Sequence, residues 1–314
     1  MLATDNPIYI IGSGAIGKAL AVFLKLSGRN VTIVRGSVND GSLKTENILV
    51  EMAGGAVFEA ETVVRTMDSL SGTGGIFVLC NKSFGNEQLA LLLKNKMGNP
   101  PVVLLQNGLG VEEPFVRHGF SEIYRCVLFV TSQVIGEGNV RFKPVGVCPV
   151  GIERGDPGHL DKIVQQLNTP YFAFRSEGNI RPVVWKKAIV NCVFNSICPL
   201  LDTDNGIFHR NQEALQIARR VIGECLTIAT EKGIRLTPDE IEENLLQISR
   251  FSDGQLISTL QDIRNGRRTE IETLNLEVVR LAKELGKLDA VQETRLLGEL
   301  VRLKAELALR QAGN

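Results

Sequence analysis

The stretch YIIGSGAIGKAL, Tyr9 to Leu20, passes from a β-rich apolar run through three glycines into a helical pattern. Gly12, Gly14 and Gly17 have the G-x-G-x-x-G spacing, with Ala15 and Ile16 between the last two. In such a turn the first glycine permits the sharp bend, the second lets backbone approach a pyrophosphate, and the third lets helix and strand pack closely. The helix that follows supplies unpaired N–H groups and the positive end of its dipole. Lying between a strand and a helix, the motif predicts a dinucleotide-binding unit formed by Gly12, Gly14, Ala15, Ile16 and Gly17.

The next strand-like run, VTIV (31–34), tells which dinucleotide. An NAD site ordinarily carries Asp or Glu at this strand's end to accept from the ribose 2′-hydroxyl. Here the residue is Arg35, followed by Ser37 as a second donor, which favours a 2′-phosphate and therefore NADP(H). Further runs follow: IFVLC (76–80), VVLLQ (102–106) and YRCVLFV (124–130), with helical pattern between several of them. Alternation of this kind predicts a wound parallel sheet. Glycine-bearing segments near 136–158 and then YFAFRS read as further strands, some antiparallel. From Pro182 onward nearly everything reads as helix: Thr237, Pro238 and Glu240 form a start signal, and Gly233 and Gly286 stand where helices stop. The expected fold is α/β, an N-terminal Rossmann-type wound sheet over residues 1–179 followed by an all-helical substrate-binding and catalytic domain over 180–314.

Composition narrows the partners. Lys plus Arg and Asp plus Glu number 35 each, and no basic run is long enough to track a phosphate backbone, so nucleic acid is not expected. No apolar run reaches the length of a membrane span, and MLATDNP lacks the pattern of a secretion signal. The expected location is the cytoplasm. Six cysteines without a Cys-x-x-Cys pair predict reduced thiols, with neither a disulfide nor a metal. A small molecule is the expected ligand, and the chain itself is expected to pair as a homodimer.

A reductase that delivers hydride to a carbonyl needs an acid for the developing alkoxide, worth about 10²–10⁴ in rate. None of His118, His159 and His209 lies at a strand's carboxyl end, although His209 stays open. Tyr9, Tyr124 and Tyr171 are followed four residues later by Ser, Leu and Arg, which argues against a Tyr-x-x-x-Lys reductase. The segment VWKKAIVNCVFN (184–195) offers an alternative. On a helix, Lys187, Asn191 and Asn195 share one face, whereas Lys186 aligns with Val190 and Phe194. Lysine and asparagine amid apolar residues cost free energy unless paired, so that face reads as a site. Further on, Asn265-Gly266 breaks a helix, and Thr269 with Glu272 predicts a capping box that puts Glu270 in a first helical turn. Lys82 and Asn107 follow strands at the edge where wound sheets bind ligands.

Taken with GSGAIG, VLCNKSFGN, LLQNGLG and STLQDIRNGRRTEIE, the segment WKKAIVNCVFN resembles the ketopantoate reductase family from residue 9 to about 275. The resemblance implies NADPH-dependent reduction of 2-dehydropantoate (ketopantoate) to pantoate, a step of pantothenate biosynthesis. It implies Lys187 as the acid, with Glu270 pairing with it or with a substrate hydroxyl. Asn191, Asn195 and Ser258 would bind substrate, the last at its carboxylate. Asn107 would lie by the nicotinamide ribose, and Lys82 beside cofactor and active site. Three departures stand out. Gln255 replaces a common Asn three positions before the serine, Leu276 replaces the glycine of an Asn-Gly pair, and a Thr-Pro before the last helix is missing from GKLDAVQET. Gln255 would reshape the acid pocket and Leu276 the packing of a helix. Two other readings stay open: a paralogous reductase of another small 2-oxo acid, and a non-catalytic NADP(H)-sensing module, for which the Lys187, Asn191, Asn195 and Glu270 set would be superfluous.

Overall fold

The computed structural model describes residues 6–36, 39–70 and 74–312. They form two compact units. One comprises the described residues up to Gln106 together with Val111–Ile180; the other comprises Asn107–Gly110 and the described residues from Arg181 onward.

The first unit is built on one sheet of 11 strands among the described residues. In chain order they are β1 (Ile8–Ile11), β2 (Val31–Arg35), β3 (Leu43–Met52), β4 (Val57–Thr66), β5 (Ile76–Leu79), β6 (Val102–Leu104), β7 (Ile123–Cys126), β8 (Val130–Gly136), β9 (Asn139–Pro144), β10 (Cys148–Arg154) and β11 (Phe174–Ser176). Its central strands run β4-β2-β1-β5-β6-β7, every neighbouring pair parallel. Strand order therefore reverses between β1 and β5, and in an open wound sheet the crevice at the strands' carboxyl ends there is where ligands bind. Helices α1 (Ala15–Leu26) and α4 (Leu160–Leu167) cover one face, and α2 (Asn86–Met97) and α3 (Glu113–Arg117) the other. Successive strand residues point to opposite faces, and both faces are buried: Ile10, Ile33 and Val78 meet α1, while Ile11, Val34, Phe77 and Leu79 pack with Leu93 and Phe115. Burial on both sides is why these strands are continuously apolar rather than alternating.

Two features differ from the sequence expectation. Residues 124–130 are not one strand: β7 ends at Cys126 beside β6, whereas β8 starts at Val130 and lies at the far edge of the sheet. The long hairpin β3–β4 is an addition. Its turn, at Gly54 and Gly55, needs the left-handed backbone of Gly55 (φ 86°), and it extends the sheet beyond the parallel set.

The second unit is helical: α5 (Ile180–Leu201), α6 (Ile207–Arg210), α7 (Gln212–Glu231), α8 (Pro238–Phe251), α9 (Ser258–Arg264), α10 (Asn275–Glu284) and α11 (Gln292–Ala312). Helix α5 is its axis. From Ala188 to Pro199 every residue but Asn191 is buried, against apolar side chains of α7, α8 and α10. The start of α8 follows its sequence signal, since Thr237 Oγ1 accepts from Glu240 N–H at 3.3 Å. Helices α7 and α10 are followed by Gly233 and Gly286, both with positive φ.

Candidate active site

In the sheet unit each fingerprint glycine has a structural reason. Gly12 leaves β1 with φ 113°, and a Cβ there would lie 2.7 Å from the backbone nitrogen of Asn81. At Gly17 a Cβ would stand 2.1 Å from the carbonyl oxygen of Gly12, so the helix could not close onto the turn. Gly14 differs: it is the N-cap of α1, and a Cβ would meet nothing within 4 Å. The open side of Gly14 is room for a ligand rather than for packing. No side chain caps the amides that begin with Ala15 and Ile16, and no acid sits in this first turn, so the helix end is suited to a pyrophosphate.

Arg35 is the last residue of β2 and half-buried. Asp40 lies in the loop beyond, but its carboxylate accepts from the N–H of Ser42 at 3.0 Å, and the Ser42 hydrogen bonds hold it below the usual carboxylate range. The strand thus ends on a cation where an NAD site would carry an acid, and the Arg35 charge is the least of the influences on Asp40, behind its Ser42 hydrogen bonds; a cation at this place fits the 2′-phosphate of NADP(H). Ser37 lies outside the described residues. Lys82 follows β5 and caps a single 3₁₀ turn, Ser83–Gly85. Its loop is fixed by buried amides: Asn86 and Gln106 exchange hydrogen bonds of 2.8 and 2.9 Å, and Gln106 Nε2 also donates to the Asn81 carbonyl at 3.0 Å. The carboxyl ends of β5 and β6 are thereby tied together at the edge that carries the glycine loop.

The helical unit gathers most of the remaining predicted residues. Along α5, Lys187 and Asn191 are half-buried and Asn195 is buried. Lys186 points elsewhere, toward Glu240 of α8 at 3.7 Å. Asn195 joins α5 to the start of α9: its Oδ1 accepts from Ser258 Oγ and from Thr259 N–H, each at 3.3 Å, and its Nδ2 donates to the Asn191 carbonyl at 3.0 Å. Asn191 and Ser258 are therefore joined through Asn195, on the helix that also carries Lys187, and the Asn195 amide has its polar atoms engaged inside the protein. Ser258 and Gln255 are exposed, and the Gln255 carbonyl accepts from Asn205 N–H at 2.9 Å.

Asn107 follows the sheet in sequence but packs with the helices. Leu109 N–H donates to the Thr273 carbonyl at 2.8 Å. A Cβ on Gly108 would fall 2.5 Å from Thr273 O, and one on Gly110 2.5 Å from Glu277 Oε1. The Asn107–Gly110 loop is thus moulded to the segment that begins at Glu270. The predicted capping box there is not what forms: Glu270 itself precedes a three-residue 3₁₀ turn, Ile271–Thr273, its side chain makes no capping bond, and α10 starts only at Asn275. Thr273 instead turns inward, donating from both N–H and Oγ1 to the Glu270 carbonyl at 3.1 Å. One 3₁₀ turn gives Glu270 far less dipole than an α-helix would.

Sequence reading missed Asp204. Its carboxylate accepts from Gly206 N–H (2.7 Å), Gly254 N–H (3.2 Å) and Arg210 Nη2 (2.8 Å), which fastens the loop before α6 to the loop that carries Gln255. The Arg210 hydrogen bond lowers the Asp204 carboxyl to about 2. The signal was present in DTDNG, since an Asp two residues before Gly is an Asx-turn pattern. His209 belongs to this scaffold, its Nδ1 3.0 Å from Ser249 Oγ, while His118 and His159 lie 2.9 and 3.0 Å from Glu87 and Glu122.

Comparison with known proteins settles the family. The family model for ketopantoate reductase PanE/ApbA matches residues 8–161, and that for its C-terminal region matches 179–304. The chain belongs to the ketopantoate reductase family. Members of this family are NADP(H)-dependent oxidoreductases acting on CH–OH groups. Among curated ketopantoate reductase relatives, the 2-dehydropantoate 2-reductase of Pyrococcus horikoshii is 29% identical over 305 residues, 96% of this chain and 98% of its own. That of Escherichia coli O157:H7 is 26% identical over 301 residues, 95% and 94% of the two chains. A solved ketopantoate reductase from Ralstonia eutropha JMP134 superposes with a TM-score of 0.81 at 23% identity, covering 96% of this chain and 99% of that one. A D-mandelate dehydrogenase solved with NADH and anilino(oxo)acetate has the same TM-score at 22% identity, with the same coverage. A Staphylococcus aureus ketopantoate reductase described as dimeric scores 0.80 at 20% identity, again covering 96% and 99%. At these identities the structural likeness is one of fold.

Proposed function

We propose that this chain reduces a small 2-oxo acid, 2-dehydropantoate, to its 2-hydroxy acid, pantoate, as a cytoplasmic enzyme of pantothenate biosynthesis. The glycine loop, with Ala15 and Ile16, would hold the pyrophosphate of NADPH. Arg35 would hold its 2′-phosphate, and Lys82 and Asn107 would meet it nearer the reacting end. Bound there, NADPH supplies the hydride. The rest falls to the protein's own groups. Lys187 gives a proton to the oxygen that develops negative charge, Ser258 and Asn191 orient the acid, and Glu270 pairs with the Lys187 amine or with a substrate hydroxyl. The observation that carries this reading is the Asn195 bridge, because it sets the exposed Ser258 hydroxyl against the helix face that presents Lys187 and Asn191. The curated names of the relatives supply the substrate.

Lys187→Ala tests it. Loss of the acid should lower turnover with NADPH and 2-dehydropantoate by about 10²–10⁴, equivalent to roughly 3–5 kcal/mol of transition-state stabilisation. NADPH affinity should stay near the wild-type value. A variant with near-native turnover ends the assignment.

A second reading has one specific support. Gln255 stands exposed three positions before Ser258, and the family fold also serves a D-mandelate dehydrogenase. Turnover on a panel of 2-oxo acids separates the two, a bulkier acid outrunning 2-dehydropantoate being the outcome that favours the paralogue. A homodimer is part of the proposal as well, in line with the dimeric Staphylococcus aureus relative.

A further inference from the structure

The loop that carries Asn107 reads QNGLGV, an asparagine followed by two glycines around a leucine. Among the described residues the Asn107 amide makes no hydrogen bond, so the backbone that follows it decides where the amide stands. That backbone is seated at three consecutive residues. Leu109 is buried in the apolar cluster that also holds Leu274 and Val278, and its N–H donates to the Thr273 carbonyl at 2.8 Å. Gly108 lies against Thr273, and Gly110 lies against Glu277, four residues further on. The first support includes the Thr273 main chain. The second is a side chain: a Cβ on Gly110 would stand 2.5 Å from Glu277 Oε1 and 3.0 Å from its Cδ.

A glutamate side chain has several torsions to lose, so it can serve as a stop only where something fixes them. Glu277 is 9% exposed, and Arg280 holds both its oxygens, from Nε to Oε2 at 2.8 Å and from Nη2 to Oε1 at 2.5 Å. Such a fork sets the direction of a carboxylate as well as its place. Behind it, Arg280 Nη1 donates to Glu284 Oε1 at 2.5 Å, so the guanidinium is braced from both sides. Pairs along one helix contribute only about 0.2–0.5 kcal/mol each, little against the cost of burying a carboxylate. What the arrangement adds is position. We propose that Glu277 is a positioning residue for the reduction: against Gly110 it stops the Asn107 loop, and so holds the amide where the reacting end of NADPH comes. The proposal rests on the role given to Asn107 above. With alanine at 277 the loop keeps its Leu109 anchor but loses its stop at Gly110, and Asn107 ranges over a wider arc. A contact misplaced near the hydride is felt in the transition state more than in binding.

Steady-state kinetics of E277A, N107A and the double variant test it, with NADPH and whichever 2-oxo acid the wild type turns over fastest. E277A should lower kcat about tenfold, with KM for the acid changed by no more than about twofold. Adenosine 2′,5′-bisphosphate, which carries the 2′-phosphate but no nicotinamide, should bind E277A as it binds the wild type. Because Glu277 works through Asn107, the double variant should be no slower than N107A alone. E277Q keeps the length of the side chain and an acceptor for Arg280, and should recover most of kcat. R280A, at a half-exposed position, should slow turnover in the same sense and replaces E277A in the cycle if that variant does not fold. N107A with wild-type kcat overturns the role of Asn107 and this proposal together. If N107A is slow, then E277A at wild-type kcat, or losses that multiply in the double variant, overturn this proposal alone.

Discussion

Replacing Asn195 by Ala should separate a side chain that touches substrate from one that positions another. In the wild type its amide serves three partners: it accepts from Ser258 Oγ and Thr259 N–H and donates to the Asn191 carbonyl. Both acceptances are 3.3 Å long, which puts each at the low end of the roughly 1–3 kcal/mol that an unmade buried hydrogen bond costs. Thr259 is buried, so water cannot readily replace the lost acceptor. With a small cavity added, the loss should total about 2–3 kcal/mol, seen as a fall of about 5–10 °C in Tm. Kinetically, Ser258 loses the acceptor that orients it. KM for the 2-oxo acid should then rise about tenfold, with kcat falling less and the NADPH dissociation constant unchanged. Asn195→Asp is the diagnostic partner. It retains an acceptor for Ser258 and Thr259 but turns an oxygen toward the Asn191 carbonyl, so it should be less stable than Asn195→Ala while disturbing KM less. If Asn195→Ala keeps the wild-type Tm, or if Asn195→Asp raises KM as much as Asn195→Ala does, the positioning role is wrong.

Three other outcomes follow from the geometry. Gly17→Ala forces a Cβ to 2.1 Å from the Gly12 carbonyl, so the loop must shift; calorimetry should show NADPH binding weakened beyond detection, and wild-type affinity would contradict the role given to the loop. Arg35→Asp exchanges the cation at the end of β2 for an anion and should weaken NADPH binding by roughly 10–100-fold while leaving NADH binding level or improved, measured by fluorescence titration of each cofactor. Asp204 has a folded-state pKa depressed from 3.8 to about 2, so the stability it contributes is fully present above pH 4 and is lost as pH falls through about 2. Urea midpoints of Asp204→Asn should therefore lie below wild type at neutral pH and converge with it in acid; a gap independent of pH would mean the carboxylate charge is not what holds the two loops.

How much of this was legible follows from how local each signal is. The glycine turn, the parallel strands and the change to helix after the sheet are written within short windows, because a strand buried on both faces must be apolar and a helix start needs only a cap. Hairpin β3–β4 escaped notice because its faces are unequally covered, with Glu46, Asn47, Glu59 and Glu61 diluting the apolar run. Yet MAGGAV between two alternating segments is a hairpin turn in its own right. The split of 124–130 could not be read locally at all, since Cys126 and Val130 belong to strands far apart in the sheet and only tertiary pairing shows it.

For the site, helical periodicity was enough to set Lys187, Asn191 and Asn195 on one face, but it could not tell which of them turns its polar atoms inward. That depends on Thr259, 64 residues away in sequence. The same limit governs the departures from the family pattern. Leu276 stands where glycine is usual, and read alone it looks like a clash. In the folded chain Gly298 of α11 faces it: a Cβ there would lie 2.9 Å from Asn275 Cβ and 3.0 Å from Leu276 Cδ2. The bulk added on α10 is accommodated by a missing side chain on the neighbouring helix, so the start of α10 keeps close contact with α11. A change that sequence marks as altering helix packing is thus absorbed between α10 and α11, and Gln255, which stands exposed, is a departure through which substrate preference can change.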